Sequence, residues 1–209
     1  MDWKAYFEMM KDWKKLPAYK AEPRIDSLIG YFLEPILADF LKEKIEGVIP
    51  ELPIRLGTVQ PKLENTKYAE RSYKVDFFAV GKNGTNYLIE FKTDTNSRRT
   101  KQDEYLNNSK QLGTANIING ILKISNVSTY ITKYNHLKSK LQQVGLLDAD
   151  NKYNGKNKEL EIIYIQPVNH NNENLVIDFN WIADWLEKNN KKDSFETELS
   201  NALRIWAND

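Results

Sequence analysis

Apolar and polar residues recur along this chain with two periods, and the changes of period mark its elements. Residues 2 to 16 repeat Trp3, Phe7, Met10 and Trp13 at helical spacing, which predicts an amphipathic helix, and Pro17 and Pro23 bracket the turn after it. A longer stripe of Ile25, Leu28, Ile29, Phe32, Ile36, Leu37 and Phe40 predicts a helix from about Ser27 to Glu46. Asp26 caps it, Gly47 and Pro50 end it, and Pro35 imposes a kink or a restart. The period then shortens to two. Leu52, Ile54 and Leu56 mark a first strand from Glu51 to Val59, and Pro61 to Arg71 is a polar, loosely structured connection. Tyr73 to Val80 and Tyr87 to Thr93 are β-rich runs around Asn83-Gly84, a strong local hairpin signal.

Thr95-Asn96-Ser97 has the composition of a helix cap. The helix after it carries Arg98, Arg99, Lys101, Gln102 and Tyr105 to about Gln111. A second helix, Thr114 to Ile124, is buried through Ile117, Ile118, Ile121 and Leu122, and Ser128 caps a third that runs to Val144. Asp148 to Lys158 is a polar turn. Glu159 to Gln166 predicts a central strand paired with the third one, Leu175 to Phe179 a short further strand, and Trp181 to Lys188 and Phe195 to Trp206 closing helices. With 209 residues and no low-complexity tract, the expectation is one α/β domain with a mixed sheet flanked by helices.

The hairpin carries charge where an interior strand should not. Asp76 sits in Val-Asp-Phe-Phe, and Glu90 and Lys92 bracket Phe91. Ionised groups are costly to bury unless they are paired or hold a metal. Alternation puts Leu88, Glu90 and Lys92 on one face of their strand. A two-residue Asn83-Gly84 turn would set Asp76 opposite Phe91, on the wrong face. A three-residue loop of Lys82, Asn83 and Gly84, with Gly84 left-handed in a bulge, pairs Gly81 with Thr85 and sets Asp76 opposite Glu90. Two carboxylates with an ammonium beside them make a hard-oxygen site suited to Mg²⁺. The competing reading is an ordinary hairpin with a cross-strand ion pair on its wet face.

Asp76, thirteen residues, then Glu90-Phe91-Lys92 on consecutive strands resembles the PD-(D/E)XK nuclease superfamily, with Val75 in place of the motif's proline. The tripeptide alone has no weight, since Asp2-Trp3-Lys4, Asp12-Trp13-Lys14 and Asp150-Asn151-Lys152 also fit it. Only Glu90 lies in an apolar strand behind a hairpin and a strand aspartate. The resemblance implies a restriction-endonuclease-like αβββαβ core over about residues 25–166, with extra helices at both ends. It implies Mg²⁺, or Mn²⁺, held by Asp76, Glu90 and the Phe91 carbonyl, with Lys92 steadying the attacking water. It also implies a glutamate from the first core helix, for which Glu34 is the candidate and Glu43, Glu46 and Asp26 are alternatives. Gln102 is a substrate-side candidate, although it and Tyr105 stand three apart where the family's pair stands four apart.

Composition narrows the field. Net charge is +1, yet Arg98 to Lys140 holds eight Lys or Arg against two acids, and Glu159 to Asp209 holds ten acids against four basic residues. The basic middle, with Arg98 and Arg99 at a helix start, suits phosphate or else forms a solvated helix face. The absence of cysteine excludes disulfides and thiolate zinc, and with no signal-peptide pattern and no apolar run of about 20 residues the expectation is a cytoplasmic protein without a membrane span. His136 and His170 are isolated, and no nucleotide-loop, hydrolase-elbow or zincin motif is present. The function expected is therefore metal-dependent hydrolysis of phosphodiester bonds, in DNA, by an activated water. The alternative is an inactive nuclease-fold module that binds nucleic acid or a protein.

Overall fold

The computed structural model describes residues 2–13, 22–94, 100–169, 175–189 and 194–208. The class is α/β, with a five-stranded mixed sheet in the order β1-β2-β3-β4-β5: Ile45–Arg55, Ser72–Gly81, Thr85–Phe91, Glu159–Gln166 and Leu175–Asp178. β1 and β2 are antiparallel, as are β2 and β3, whereas β4 and β5 are parallel. Among the described residues seven α-helices accompany them: α1 (Trp3–Trp13), α2 (Glu22–Leu41), α3 (Leu56–Val59), α4 (Thr100–Val127), α5 (Ile131–Gln143), α6 (Phe179–Asn189) and α7 (Ser194–Trp206). The chain divides into two compact units. One comprises Met1–Phe40, Glu90–Arg98 and Ile163–Asp209, the other Leu41–Ile89 and Arg99–Ile162.

In the first unit, Ile25, Ile29, Phe32, Ile36 and Leu37 of the α2 stripe are buried as expected, together with Leu33, while Leu28 and Phe40 are half-buried. The helix begins at Glu22, so Asp26 lies inside it and does not cap it. It also runs through Pro35 without restarting. Pro35 is exposed, and on that side water can take the place of the amide a proline lacks. Trp3 packs edge-on against Phe195 with centroids 4.7 Å apart, and Phe7 against Trp206 at 6.0 Å, which joins the first helix to the last. Asp178 ends β5 and caps α6, accepting from the Trp181 amide at 2.8 Å.

The second unit corrects the expected boundaries. α2 stops at Leu41, Lys42 takes the left-handed conformation that closes helices (φ 56°), and Ile45 already belongs to β1. Gly47 and Pro50 therefore lie within a strand. β1 is one edge of the sheet. It contains Pro50 and Pro53, a register shift between Ile45 and Gly47, and Glu51 at φ 54°. The strand ends at Arg55, and Leu56 to Val59 coil into α3 because the next segment folds back on them. Leu56 N donates to Arg71 O at 2.8 Å and Gly57 N to Ala69 O at 2.9 Å.

That segment, expected to be loose, is organised around a buried guanidinium. Arg55 donates to Glu70 Oε2 at 2.9 Å through Nε and forms ion pairs with Glu64 and Glu70 through its terminal nitrogens. Gly57 lies so close that a Cβ there would meet the Arg55 Nη1 at 2.6 Å. The helical stretch after the hairpin is broken as its sequence suggests, by Gly113 at φ 75°, ψ 170°. Ser128 does not cap α5, which starts at Ile131. Its Oγ accepts from the Tyr130 amide at 3.1 Å instead.

Arg55 hydrogen bonds hold the Glu64 and Glu70 carboxyls below their ordinary pKa, so this stabilisation is complete above the unfolded carboxylate range, near about 4.3, and is lost as pH falls through the folded values. Arg55→Met is expected to lower unfolding stability at pH 7 by about 2 kcal/mol and to flatten the acid limb of the stability–pH curve, both read from urea melts. Gly113 occupies a region open only to glycine, so Gly113→Ala is expected to cost about 1–3 kcal/mol in the same melts.

Candidate metal and nucleic-acid site

The β2–β3 ladder has the register of the three-residue turn. Phe77 faces Ile89, Phe78 Leu88, Ala79 Tyr87 and Val80 Asn86, and Gly84 takes φ 101° in the loop. A buried amide network fixes this end of the hairpin. Asn86 Nδ2 donates to Thr114 Oγ1 at 3.0 Å, and Asn157 Nδ2 donates to Gly81 O at 2.6 Å and to Asn86 Oδ1 at 3.1 Å. Glu43 ties the other side, accepting from the Asn83 amide at 3.0 Å and from the Tyr87 hydroxyl. Burial, then the Glu43 carboxylate, pushes the Tyr87 phenol well above its ordinary value.

At the end of β3, Glu90 is fully buried and Lys92 is 4% exposed. The Lys92 ammonium donates to Glu90 Oε2 at 3.2 Å and to the Phe91 carbonyl at 3.1 Å. Its backbone amide donates to Ile165 O at 2.8 Å, and the Phe91 ring stacks on Phe179 with centroids 5.8 Å apart. Two oxygens, one from a carboxylate and one from the backbone, thus converge on a single cationic group in an apolar setting.

Asp76 is half-buried on β2. Between the pairs Pro50–Phe77 and Leu52–Val75 the β1–β2 register brings Glu51 level with Asp76, and Glu51 binds Lys74 at 2.7 Å. Sequence reasoning missed Glu51 because it took this residue as the start of the strand.

No matching family model, curated protein or solved structure was found for this chain.

The remaining candidates are dispersed. Glu34 is exposed on α2, while its neighbours Leu33, Ile36 and Leu37 are buried. Of its alternatives, Glu43 serves the hairpin loop and Glu46 pairs with Lys156. Gln102 is half-buried in the first turn of α4, and Tyr105 packs on Tyr73 with ring centroids 5.2 Å apart. Arg98, Arg99 and the cap at Thr95-Asn96-Ser97 lie outside the described residues, as does His170. Among the described residues no three His, Asp or Glu side chains gather into a group that would hold a metal, and no helix is long and apolar enough to cross a membrane.

The oxygens that meet at Lys92, the Glu90 carboxylate and the Phe91 carbonyl, are hard donors of the kind Mg²⁺ accepts. That ion keeps several waters and needs only one or two protein carboxylates.

Removing one partner of a buried ion pair takes that contact from the charge that remains. Lys92→Met is therefore expected to destabilise the metal-free protein by about 3 kcal/mol, and Lys92→Met/Glu90→Gln by clearly less, which a double-mutant cycle of urea midpoints checks.

Proposed function

We propose that this chain is a metal-dependent nuclease with a restriction-endonuclease-like core, cleaving phosphodiester bonds of DNA in the cytoplasm. The observation that carries the reading is the convergence of Glu90 Oε2 and the Phe91 carbonyl on the Lys92 ammonium within a buried strand. The β2–β3 register supports it, because it is the register of a three-residue turn, the one the reading requires. The element order of a helix, three antiparallel strands, helices and a further strand fits the same core. The cysteine-free composition suits the compartment.

In this reading Asp76, Glu90 and the Phe91 carbonyl would hold Mg²⁺, or Mn²⁺, with Glu34 as the candidate for a further glutamate from the first core helix. The bound ion would polarise the phosphoryl group and acidify a water. The chain's own residues do the rest. Glu90, with no solvent around it, keeps its carboxylate fixed in place. Lys92, beside that carboxylate, would steady the attacking water or the charge that develops on the phosphate. Without the cation, the carboxylates of Asp76 and Glu90 repel the substrate backbone.

Incubation with single- and double-stranded DNA and Mg²⁺ is expected to give cleavage that a chelator abolishes. Lys92→Ala and Asp76→Ala are each expected to lower the rate by at least about 100-fold. Cleavage that survives chelation or either substitution would exclude the mechanism.

A further inference from the structure

One cleft lies wholly within the second unit. About 640 Å³ in volume, it is walled by β1 and β2 on one side and by α5 with the residue before it on the other. Pro50, Glu51 and Lys74 line the strand wall, and Tyr130, Lys133, Tyr134 and Lys140 the helix wall. Glu51 is the one carboxylate among these lining residues, and Lys74 pairs with it at 2.7 Å. The cleft therefore carries a net positive charge from Lys133 and Lys140. α5 itself contains no Asp or Glu, and none occurs anywhere between Glu104 and Asp148. Aromatic faces stand beside these cations. Tyr130 is 66% exposed at the rim with the Lys133 ammonium 5.4 Å from its ring centre, and Tyr134 is half-buried deeper in.

We propose that this cleft binds a single-stranded nucleic-acid segment, with bases against Tyr130 and Tyr134 and phosphates on Lys133 and Lys140. Exposed aromatic rings beside lysines are the two parts of a single-strand groove: a stacking platform and a cationic track. The volume falls within the range of small-ligand pockets, about 300–1,000 Å³, which admits an unpaired base with its sugar and phosphate. A duplex keeps its bases stacked inward and offers Tyr130 no face to meet. Ser72, Lys74 and Asp76 alternate onto one side of β2, so a strand lying along Lys74 passes about 7 Å from Asp76 at two residues of strand rise. The inference deepens the nuclease reading by naming its substrate class, and rests on that reading for the link to cleavage.

Binding of a fluorescein-labelled ten-nucleotide oligothymidylate to the full chain in EDTA, followed by anisotropy across a salt series, tests the cleft with catalysis silent. Tyr130→Ala is expected to weaken binding about tenfold and Tyr130→Phe to retain it. Lys133→Ala/Lys140→Ala should reduce the slope of log affinity against log salt by about 1.4, from two phosphate contacts of about 0.7 each. A matched duplex should bind more weakly. If the oligonucleotide does not bind, or binds unchanged by these substitutions, or if the duplex binds as well and without regard to Tyr130, the proposal fails and an acidic protein partner becomes the better reading of this face. Cleft-dependent binding without Mg²⁺-dependent cleavage sinks the nuclease reading alone. Cleavage with Tyr130→Ala binding unaltered sinks the cleft alone.

Discussion

A lysine ammonium and a glutamate carboxylate lie side by side in an apolar interior, and the end of β3 is built to tolerate them. Neither charge is affordable there by itself, because desolvating an unpaired ion costs several kcal/mol after relaxation. Together with the Phe91 carbonyl they satisfy part of one another's hydrogen-bonding capacity. The Phe91 ring, stacked on Phe179, and the Lys92 amide bond to Ile165 hold the backbone that makes the approach possible. An arrangement of this kind adds less stability than well-packed apolar residues of similar volume would. Its persistence in the fold is understandable if the oxygens have another cation to serve.

The second unit deals with its own buried polarity in two ways. Arg55 draws Glu64 and Glu70 toward itself and converts a polar connection into a fixed one. Asn86, Asn157 and Thr114 form a neutral cluster that leaves little freedom for the hairpin to slip. A one-residue slip would turn every side chain of β3 to the opposite face, so the amide cluster and the turn protect the same property.

The hairpin, β4, β5 and the break at Gly113 were legible because each is written locally: an Asn-Gly turn, an unbroken apolar run, a glycine between two helical stripes. The register also followed from local chemistry once Asp76 and Glu90 were required to share a face. β1 was not legible from its own residues. Ile45 to Pro50 joins a strand through pairing with β2, a partner more than twenty residues away, and Gly47 and Pro50 imitate a helix terminus. Arg55 gave no warning either, since its partners lie in a stretch of polar residues without periodicity. The cleft was half legible. The basic surplus from Arg98 to Lys140 was visible, but only the packing of α5 beside β1 and β2 puts its lysines and tyrosines around one hollow.

β1 illustrates how a sheet margin can be made unwelcoming. Two prolines withdraw amide donors from it, a register shift interrupts its ladder, and a left-handed glutamate breaks its pleat. A foreign extended peptide laid along this margin would find too few hydrogen bonds to stay. The protein is thereby guarded on that side against strand-by-strand stacking into fibrils, whatever the remaining strands contribute.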